Sequence, residues 1–581
     1  MTIRRIAFLA LLLAASLTAQ SLDGLDTFVE EQMKEWKVPG VAIAVVKDGK
    51  VILSKGYGQR NIKENLPVTP KTLFAIGSSS KAFTAISLAL LADDGKLEWD
   101  KPVRDFLPEF RLYDQTMTER MTPVDLLTHR SGLPRHDLVW YSSPLSRQQL
   151  YERLRHLEPS KDLRTTFQYQ NLMYMTAGYL AGRLQDITWE DAVRRRIFTP
   201  LGMSQSNFSV NDSQKTNDFA LPYKKNKEEI VESPFRNIDA VGPAGCINSN
   251  LEDMTHYLRM NLDDGKFNGK QFLSAQQIRM MQTAHMPIAG EGRRVELGPT
   301  SYGLGWFITT YRGQKLVHHG GNIDGFSALV TFMPRGKMGM IILTNMNGSP
   351  LPTVLSYNVY DRLLGLEPVN WTARIREDEK LSKQGEEEAK KKGYTPQKPG
   401  TAPSHPLGDY AGDYEHPGYG VMKVTRDGEK LHIALNGLAT PVRHFHYDVF
   451  EGVEDPLNPL QKMKLQFHSS LEGNIESVTI PLESTLKPIA FTRLADSSMR
   501  KREFLEPLTG QYSFGPMTAT VALQGDSTLT LTIPGQPRYE LVPIRATIFQ
   551  VKGLTGFTVE FKPDEAIFHQ PNGTFAAKRK P

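Results

Sequence analysis

The sequence predicts a mixed α/β (α+β) domain over residues 23–367, followed by an all-β region, and three observations carry that reading. Apolar strand signals lie at both ends of the first segment, with helix signals between them. From Leu407 onward the helix signals nearly vanish, and short alternating strands recur between Gly, Pro and Asp turns. The tail also repeats itself. Tyr410-Ala-Gly-Asp-Tyr414 matches Leu508-Thr-Gly-Gln-Tyr512, and Leu431-His-Ile-Ala-Leu435 matches Leu529-Thr-Leu-Thr-Ile533 at the same offset. Two copies of a small antiparallel barrel or sandwich, over 407–497 and 505–581, explain the repeat; one larger barrel made of two halves is the alternative.

Bulk properties bound the answer. A chain of 581 residues is too long for one core and should divide into two or three domains. Its 40% apolar and 23% charged residues are those of a globular protein, not of a disordered, collagenous or polytopic membrane chain. Lys plus Arg is 69 and Asp plus Glu is 64, a net charge of +5, with no basic run interleaved with aromatics. No nucleic-acid partner is expected. Cys246 is the single cysteine, which excludes an intrachain disulfide and a multi-cysteine zinc site.

Residues 1–20 read as a signal peptide. Arg4-Arg5 gives a basic start, Ile6 to Leu17 is apolar apart from Ser16, and Thr18-Ala19-Gln20-Ser21 is small and polar. A buried N-terminal helix is the alternative, disfavoured by the basic start and polar exit. The run is too short to span a bilayer, and no cysteine follows it to carry a lipid. No later segment reaches eighteen consecutive apolar residues, so stable membrane insertion is not expected and the location is periplasmic or secreted.

In the first domain, Val41 to Val46 and Val51 to Leu53 flank Lys47-Asp48-Gly49-Lys50, a hairpin signal. Lys81 to Leu91 reads as a buried helix ended by Asp93-Asp94-Gly95, and Met173 to Leu184 and Asp253 to Met260 read as helices. Ala328 to Met333 and Met338 to Leu343 form a second hairpin across Pro334-Arg-Gly-Lys337. Both chain ends should therefore close one sheet. Residues 374–406 form a linker: a charged helix over Arg376 to Lys392, then a proline-rich spacer from Thr395. The runs Glu386 to Glu388 and Lys390 to Lys392 fit a solvated helix better than a docking surface.

Three separated motifs carry chemistry. In Phe74-Ala-Ile-Gly-Ser78-Ser79-Ser80-Lys81, Ser78 and Lys81 are three apart at a helix start, so they share one face. The helix N-terminus favours a developing alkoxide, and a desolvated lysine can act as base. Alone, Ser-x-x-Lys is a weak signal. Tyr169-Gln170-Asn171 precedes a helix; the Tyr169 phenol can shuttle a proton if cationic Lys81 lowers its pKa, and the Asn171 amide can hold a substrate carbonyl. In Val317-His318-His319-Gly320-Gly321-Asn322, the glycines admit substrate to a strand edge and His319 would face it. His318 and His319 point to opposite faces, which argues against a metal site. His444-Phe-His446 puts two imidazoles on one strand face, for which partial exposure explains more than a metal. No cofactor is called for, and Cys246 reads as a packing residue.

Together these motifs resemble the serine β-lactamase and penicillin-binding protein family, and more closely its class C β-lactamase, DD-peptidase and D-aminopeptidase branch. Leu126-Leu-Thr-His-Arg-Ser-Gly-Leu-Pro134, Gly242-Pro-Ala-Gly-Cys246 and Tyr302-Gly-Leu-Gly-Trp306 resemble the same branch. The resemblance implies a five-stranded antiparallel sheet with helices on both faces. It implies Ser78 as the acylated nucleophile, Lys81 and Tyr169 as the proton-transfer pair, and Asn171, His319, Gly320, Gly321 and Asn322 as substrate-binding residues. The N–H groups of Ser78 and Asn322 would form the oxyanion hole. His319 replaces the lysine of the β-lactamases and should grip a carboxylate less well. His-x-Gly and a lipocalin-like β-barrel tail are instead similar to D-aminopeptidases, DD-peptidases and esterases of the branch. The expected activity is hydrolysis of a small peptide, a D-amino acid derivative or an ester through an acyl-serine. The alternatives are a β-lactamase and a silent cell-wall peptide-binding protein. Tails of this kind cover the catalytic mouth or drive assembly, and the second of these implies homo-oligomerisation through the barrels.

Overall fold

The computed structural model describes residues 22–290, 294–392, 396–455, 458–471 and 473–581; the signal peptide expected over 1–20 lies outside them. Helix α1 (Leu25–Trp36) precedes the hairpin of β1 (Gly40–Lys47) and β2 (Lys50–Asn61), and the short β3 (Leu66–Pro67) follows. Asp48 and Gly49 close the hairpin with φ of 49° and 74°, the left-handed turn whose twist suits paired strands. Helices α2 (Lys81–Asp93), α3 (Asn171–Arg183) and α4 (Leu251–Leu262) come next. The chain then enters β4 (Met286–Pro287), β5 (Ser301–Tyr302), β6 (Phe307–Tyr311), β7 (Gln314–Ile323), β8 (Phe326–Met333) and β9 (Met338–Thr344). Helices α5 (Leu351–Leu363) and α6 (Trp371–Lys392) follow.

These strands form one sheet in the order β4-β5-β6-β7-β8-β9-β1-β2-β3. Strand β1 pairs antiparallel with β9, from Val41 opposite Thr344 to Lys47 opposite Met338, so both ends of the domain close the sheet as expected. Its nine strands exceed the five the resemblance implied: six have five or more residues, and the two-residue β3, β4 and β5 extend its edges. Strands β8 and β9 are buried throughout and β1 to its last residue, which requires cover on both faces. On one face Val41, Ile43 and Val45 pack with Val29 of α1 and Val354 and Val359 of α5. On the other, Gly339 abuts α4, where an added Cβ would come 3.0 Å from the Leu258 side chain.

Helix α6 is less solvated at its start than its charge predicts. Trp371 belongs to the same core, and Arg376 lies 3.9 Å over the Trp36 ring. Arg374 pairs with Glu296, and Arg294 with Glu377 and Asp378. An aromatic anchor followed by matched charges ties the first turns down. The chain divides into two compact units between Pro396 and Gln397.

The second unit contains two closed eight-stranded antiparallel barrels, which decides between the two readings of the tail. Strands β10 (Gly412–His416) to β17 (Ile489–Arg493) form one, and β18 (Gly510–Phe514) to β25 (Gly573–Arg579) the other. The repeat extends to side chains. Tyr414 donates its hydroxyl to the Tyr410 carbonyl at 2.9 Å, and Tyr512 to that of Leu508 at 3.0 Å. At closure Tyr414 sits opposite Arg493, and Tyr512 opposite Arg579. Eight strands leave a lumen that side chains fill, such as Phe467 and Phe491 in the first barrel and Phe549 and Phe561 in the second. Among the described residues no helix is long and apolar enough to cross a membrane.

Candidate active site

Phe74 and Ala75 pair with Ser249 and Asn248, and a 3₁₀ turn over Gly77–Ser80 leads into α2. One helical turn separates Ser78 from Lys81, and Lys81 Nζ lies 3.0 Å from Ser78 Oγ. The neighbouring serines are engaged elsewhere. The Ser79 hydroxyl donates to the His319 carbonyl at 3.0 Å, and the Ser80 hydroxyl accepts the Ile247 N–H at 3.1 Å. Ser78 instead opens into a cavity of about 270 Å³, bounded also by Asn171, Asn322, Trp140, Tyr141 and Val241.

Lys81 is fully buried. Its nitrogen is 2.8 Å from Asn171 Oδ1 and 2.7 Å from the Ala244 carbonyl oxygen. Neither oxygen has a hydrogen to give. A neutral amine places its two N–H bonds on those oxygens and turns its lone pair to the Ser78 hydroxyl. Burial, and then the Arg135 cation, push the Lys81 pKa well below its ordinary value, with Asp137 opposing. Tyr169 moves the other way: burial raises its pKa, and a hydrogen bond with Ser78 only partly offsets this. Burial of Lys81 meets the condition set for a desolvated lysine base, whereas the Tyr169 pKa is raised by burial and not lowered by the lysine. Lys81 is placed to take a proton and Tyr169 to give one.

Asn171 opens α3, with Gln170 as its N-cap. Its Nδ2 donates to Asp137 Oδ1 at 3.1 Å, which turns Oδ1 toward Lys81. Asp137 also accepts Trp140 Nε1–H at 2.9 Å and Arg135 Nε–H at 2.6 Å. Sequence reasoning missed Asp137 and Arg135. They follow the Leu126–Pro134 stretch directly, but no spacing marks them.

Strand β7 brings its backbone against the Ser78 turn. A Cβ on Gly321 would sit 1.8 Å from the Ile76 carbonyl oxygen and 3.1 Å from the Ser78 nitrogen. Gly77 adopts φ +51°, and a Cβ there would sit 2.8 Å from the Asn322 nitrogen. Gly320 is different: a Cβ would meet nothing nearer than the Ala328 carbonyl oxygen at 3.6 Å. Ile323 pairs with Phe326 around the two-residue turn Asp324-Gly325. Hydrogen-bonded pairs alternate from that closing pair, so the Asn322 N–H turns away from β8. It faces the Gly77–Ser78 backbone.

His319 is only 1% exposed and is not among the residues that bound the cavity. Its Nδ1 is 2.6 Å from the Gly320 carbonyl oxygen, and its Nε2 is 2.8 Å from Tyr302 Oη. A carbonyl only accepts, so Nδ1 carries the proton and Nε2 accepts the tyrosine hydroxyl. Burial, with Lys81 second, pulls its pKa down to about 3. The ring expected to face substrate is thus enclosed, while Asn322 of the same strand bounds the cavity. The cavity's exposed cation is Arg135, 53% exposed, with its guanidinium 5.3 Å from the centre of the Tyr169 ring. Among the described residues no group of three His, Cys, Asp or Glu side chains is arranged to hold a metal. His444 Nε2 is 2.8 Å from the Tyr447 carbonyl oxygen. Cys246 is buried, and burial pushes its thiol pKa up.

Comparison with known proteins fits this geometry. A family model described as Beta-lactamase matches residues 25–362, and one described as a domain of unknown function (DUF3471) matches residues 396–493. "Unguisins hydrolase ungD'" of Aspergillus campestris (strain IBT 28561) is 31% identical over 441 residues, covering 71% of this chain and 80% of its own. "Protein flp" of Staphylococcus aureus (strain MRSA252) is 26% identical over 352 residues, covering 59% of this chain and 66% of its own. The solved octameric penicillin-binding protein homologue from Pyrococcus abyssi superposes with a TM-score of 0.55 at 24% identity, over 81% of this chain and 100% of that one.

Proposed function

The chain belongs to the beta-lactamase family, and from that premise we propose that it hydrolyses an amide or ester bond through an acyl-enzyme on Ser78. The family is one of serine hydrolases, and relatives of this chain carry the name hydrolase. One observation supports the proposed mechanism above the others: the buried Lys81 amine, with two carbonyl-type acceptors and the Ser78 hydroxyl as its third neighbour.

Lys81 removes the Ser78 proton as Oγ attacks the substrate carbonyl carbon. The negative charge that develops on the carbonyl oxygen meets the N–H groups of Ser78 and Asn322. Tyr169 donates its proton to the departing nitrogen or oxygen and recovers one from the Lys81 ammonium, whose nitrogen lies 4.7 Å from the centre of the phenol ring. Water then attacks the acyl-serine by the same path in reverse, restoring the Ser78 hydroxyl. Asn171 keeps the lysine in place and offers its amide to the acyl chain, while Gly320, Gly321 and His319 shape the strand edge along which substrate lies.

The substrate class is a small peptide, a D-amino acid derivative or an ester, as for a D-aminopeptidase, a DD-peptidase or an esterase. The neutral, buried His319 supports this over a β-lactamase, which needs a fixed cation for the β-lactam carboxylate. Residues 1–20 would direct the protein to the periplasm or outside the cell, and the barrels would serve assembly, testable by sedimentation of the full chain. The catalytic proposal is tested by intact-protein mass spectrometry. A fluorophosphonate and a panel of slow esters and D-peptides should each leave one adduct, mapped to Ser78 and absent from Ser78→Ala. An adduct that survives in that variant defeats the assignment.

A further inference from the structure

We infer that His129 is a positioning residue: it holds the Gln170 peptide, and through it sets Tyr169 and Asn171 together. The inference rests on the proposed roles of those two residues, which flank Gln170 in sequence.

His129 is fully buried and has φ +56°. Its Nδ1 accepts the Gln170 N–H at 3.0 Å. An accepting Nδ1 carries no proton, so in the neutral ring the proton is on Nε2. That Nε2 is buried and has no hydrogen-bond partner. The ring lies instead among aromatics. Its centre is 4.1 Å from that of Tyr169 with planes 31° apart, 4.7 Å from Tyr302, 5.1 Å from Tyr174, and edge-on to Phe167 at 5.5 Å. One imidazole thus touches the Tyr169 ring with its face and grips the next residue's N–H with its edge. The rest of Gln170 is held as well: its Oε1 accepts the Leu172 N–H at 2.8 Å, and its Nε2 donates to the Pro134 carbonyl at 2.5 Å. Burial, with Lys81 second, keeps the His129 pKa well below 6.5, so the accepting nitrogen stays free of a proton.

The residue type follows from these demands. A left-handed backbone position disfavours most side chains and is tolerated by Asn, Asp and His. A phenyl ring would keep the stacking but leave the Gln170 N–H buried without an acceptor. Asparagine suits the backbone, and its Oδ1 branches from Cγ as Nδ1 does in histidine. If His129 were only a core residue, catalysis would follow stability and packing. If it positions Tyr169 and Asn171, catalysis follows the acceptor.

The test uses His129→Asn and His129→Phe in the full chain, with His129→Gly in place of the phenylalanine variant if that does not fold. Three quantities are measured: the thermal midpoint, the rate of Ser78 labelling by a fluorophosphonate, and amide exchange of residues 168–172. His129→Phe should label about tenfold or more slowly and lose protection over 168–172, while His129→Asn stays within about threefold of wild type, whichever has the lower midpoint. Wild-type labelling by His129→Phe, or equal loss in both variants, overturns the inference. If wild type itself takes no label, the acyl-enzyme proposal fails. The exchange data then decide the positioning role, which is refuted if 168–172 is equally protected in all variants.

Discussion

The catalytic unit and the barrel unit bury different kinds of side chain. In the first, Lys81, Asp125, His129, Asn171 and His319 are all buried, and Asp125 is held by Arg130 and Arg164. In the barrels the buried polar residues among those described are Thr440, Glu451 and Thr530, and Glu451 is paired with Arg443. A buried polar group costs free energy unless it is hydrogen-bonded. A unit that carries many is constrained by chemistry at each of them, whereas the barrels are constrained by packing. The first should therefore be sensitive to single atoms in activity, and the second to volume in stability.

The largest expected effect breaks that comparison at its catalytic end. Ser78→Ala should abolish labelling and cut turnover by about 10³ or more, and Lys81→Ala and Tyr169→Phe should each slow acylation steeply. The Lys81→Ala/Tyr169→Phe double variant should be little worse than either single, because the two act in one proton relay from Ser78 to the leaving group. Additive losses in the labelling rate would separate their roles.

At the barrel end, Phe467→Ala removes a buried ring from the first barrel. It should destabilise the barrel by about 3–5 kcal/mol, read as an earlier thermal transition, with the Ser78 labelling rate unchanged below that transition. A parallel fall in labelling would show that the two units do not divide the work.

Two adjacent glycines sharpen the contrast inside the site. Gly321→Ala drives a Cβ into the Ile76 carbonyl and should slow labelling by about tenfold or more, while Gly320→Ala meets only ordinary contact and should slow it much less. Equal rates would mean that the approach of β7 to Ser78 is not needed.

The smallest effect concerns pH. Lys81 must be neutral to take the proton, so the labelling rate rises with pH through its pKa. Arg135 lowers that pKa and Asp137 raises it. Removing the cation favours the protonated lysine, so Arg135→Gln should move the acidic limb to higher pH; Asp137→Asn should move it to lower pH. Solvent around the half-exposed Arg135 keeps both shifts modest. His319, pulled down to about 3, should add no limb near 6.5. Such a limb, lost in His319→Asn, would put that ring in the chemistry.

Much of this protein was legible in the chain itself. The Asp48-Gly49 hairpin, the common face of Ser78 and Lys81, and the repeat that became two barrels depend on residues close in sequence or on periodicity, while the pairing of β1 with β9, far apart in sequence, followed from strand signals at both ends of the domain. Local sterics and alternation set these, and both can be read from a sequence. The aim of His319, the tethering of α6, the parts played by Asp137, Arg135 and Ala244, and the charge of Lys81 could not be read that way. Strand register decided which way His319 turned. Segments from residues 135, 171 and 244 met at Lys81 and excluded water there. A lysine's proton affinity follows from what surrounds it, and those surroundings were assembled by the tertiary fold.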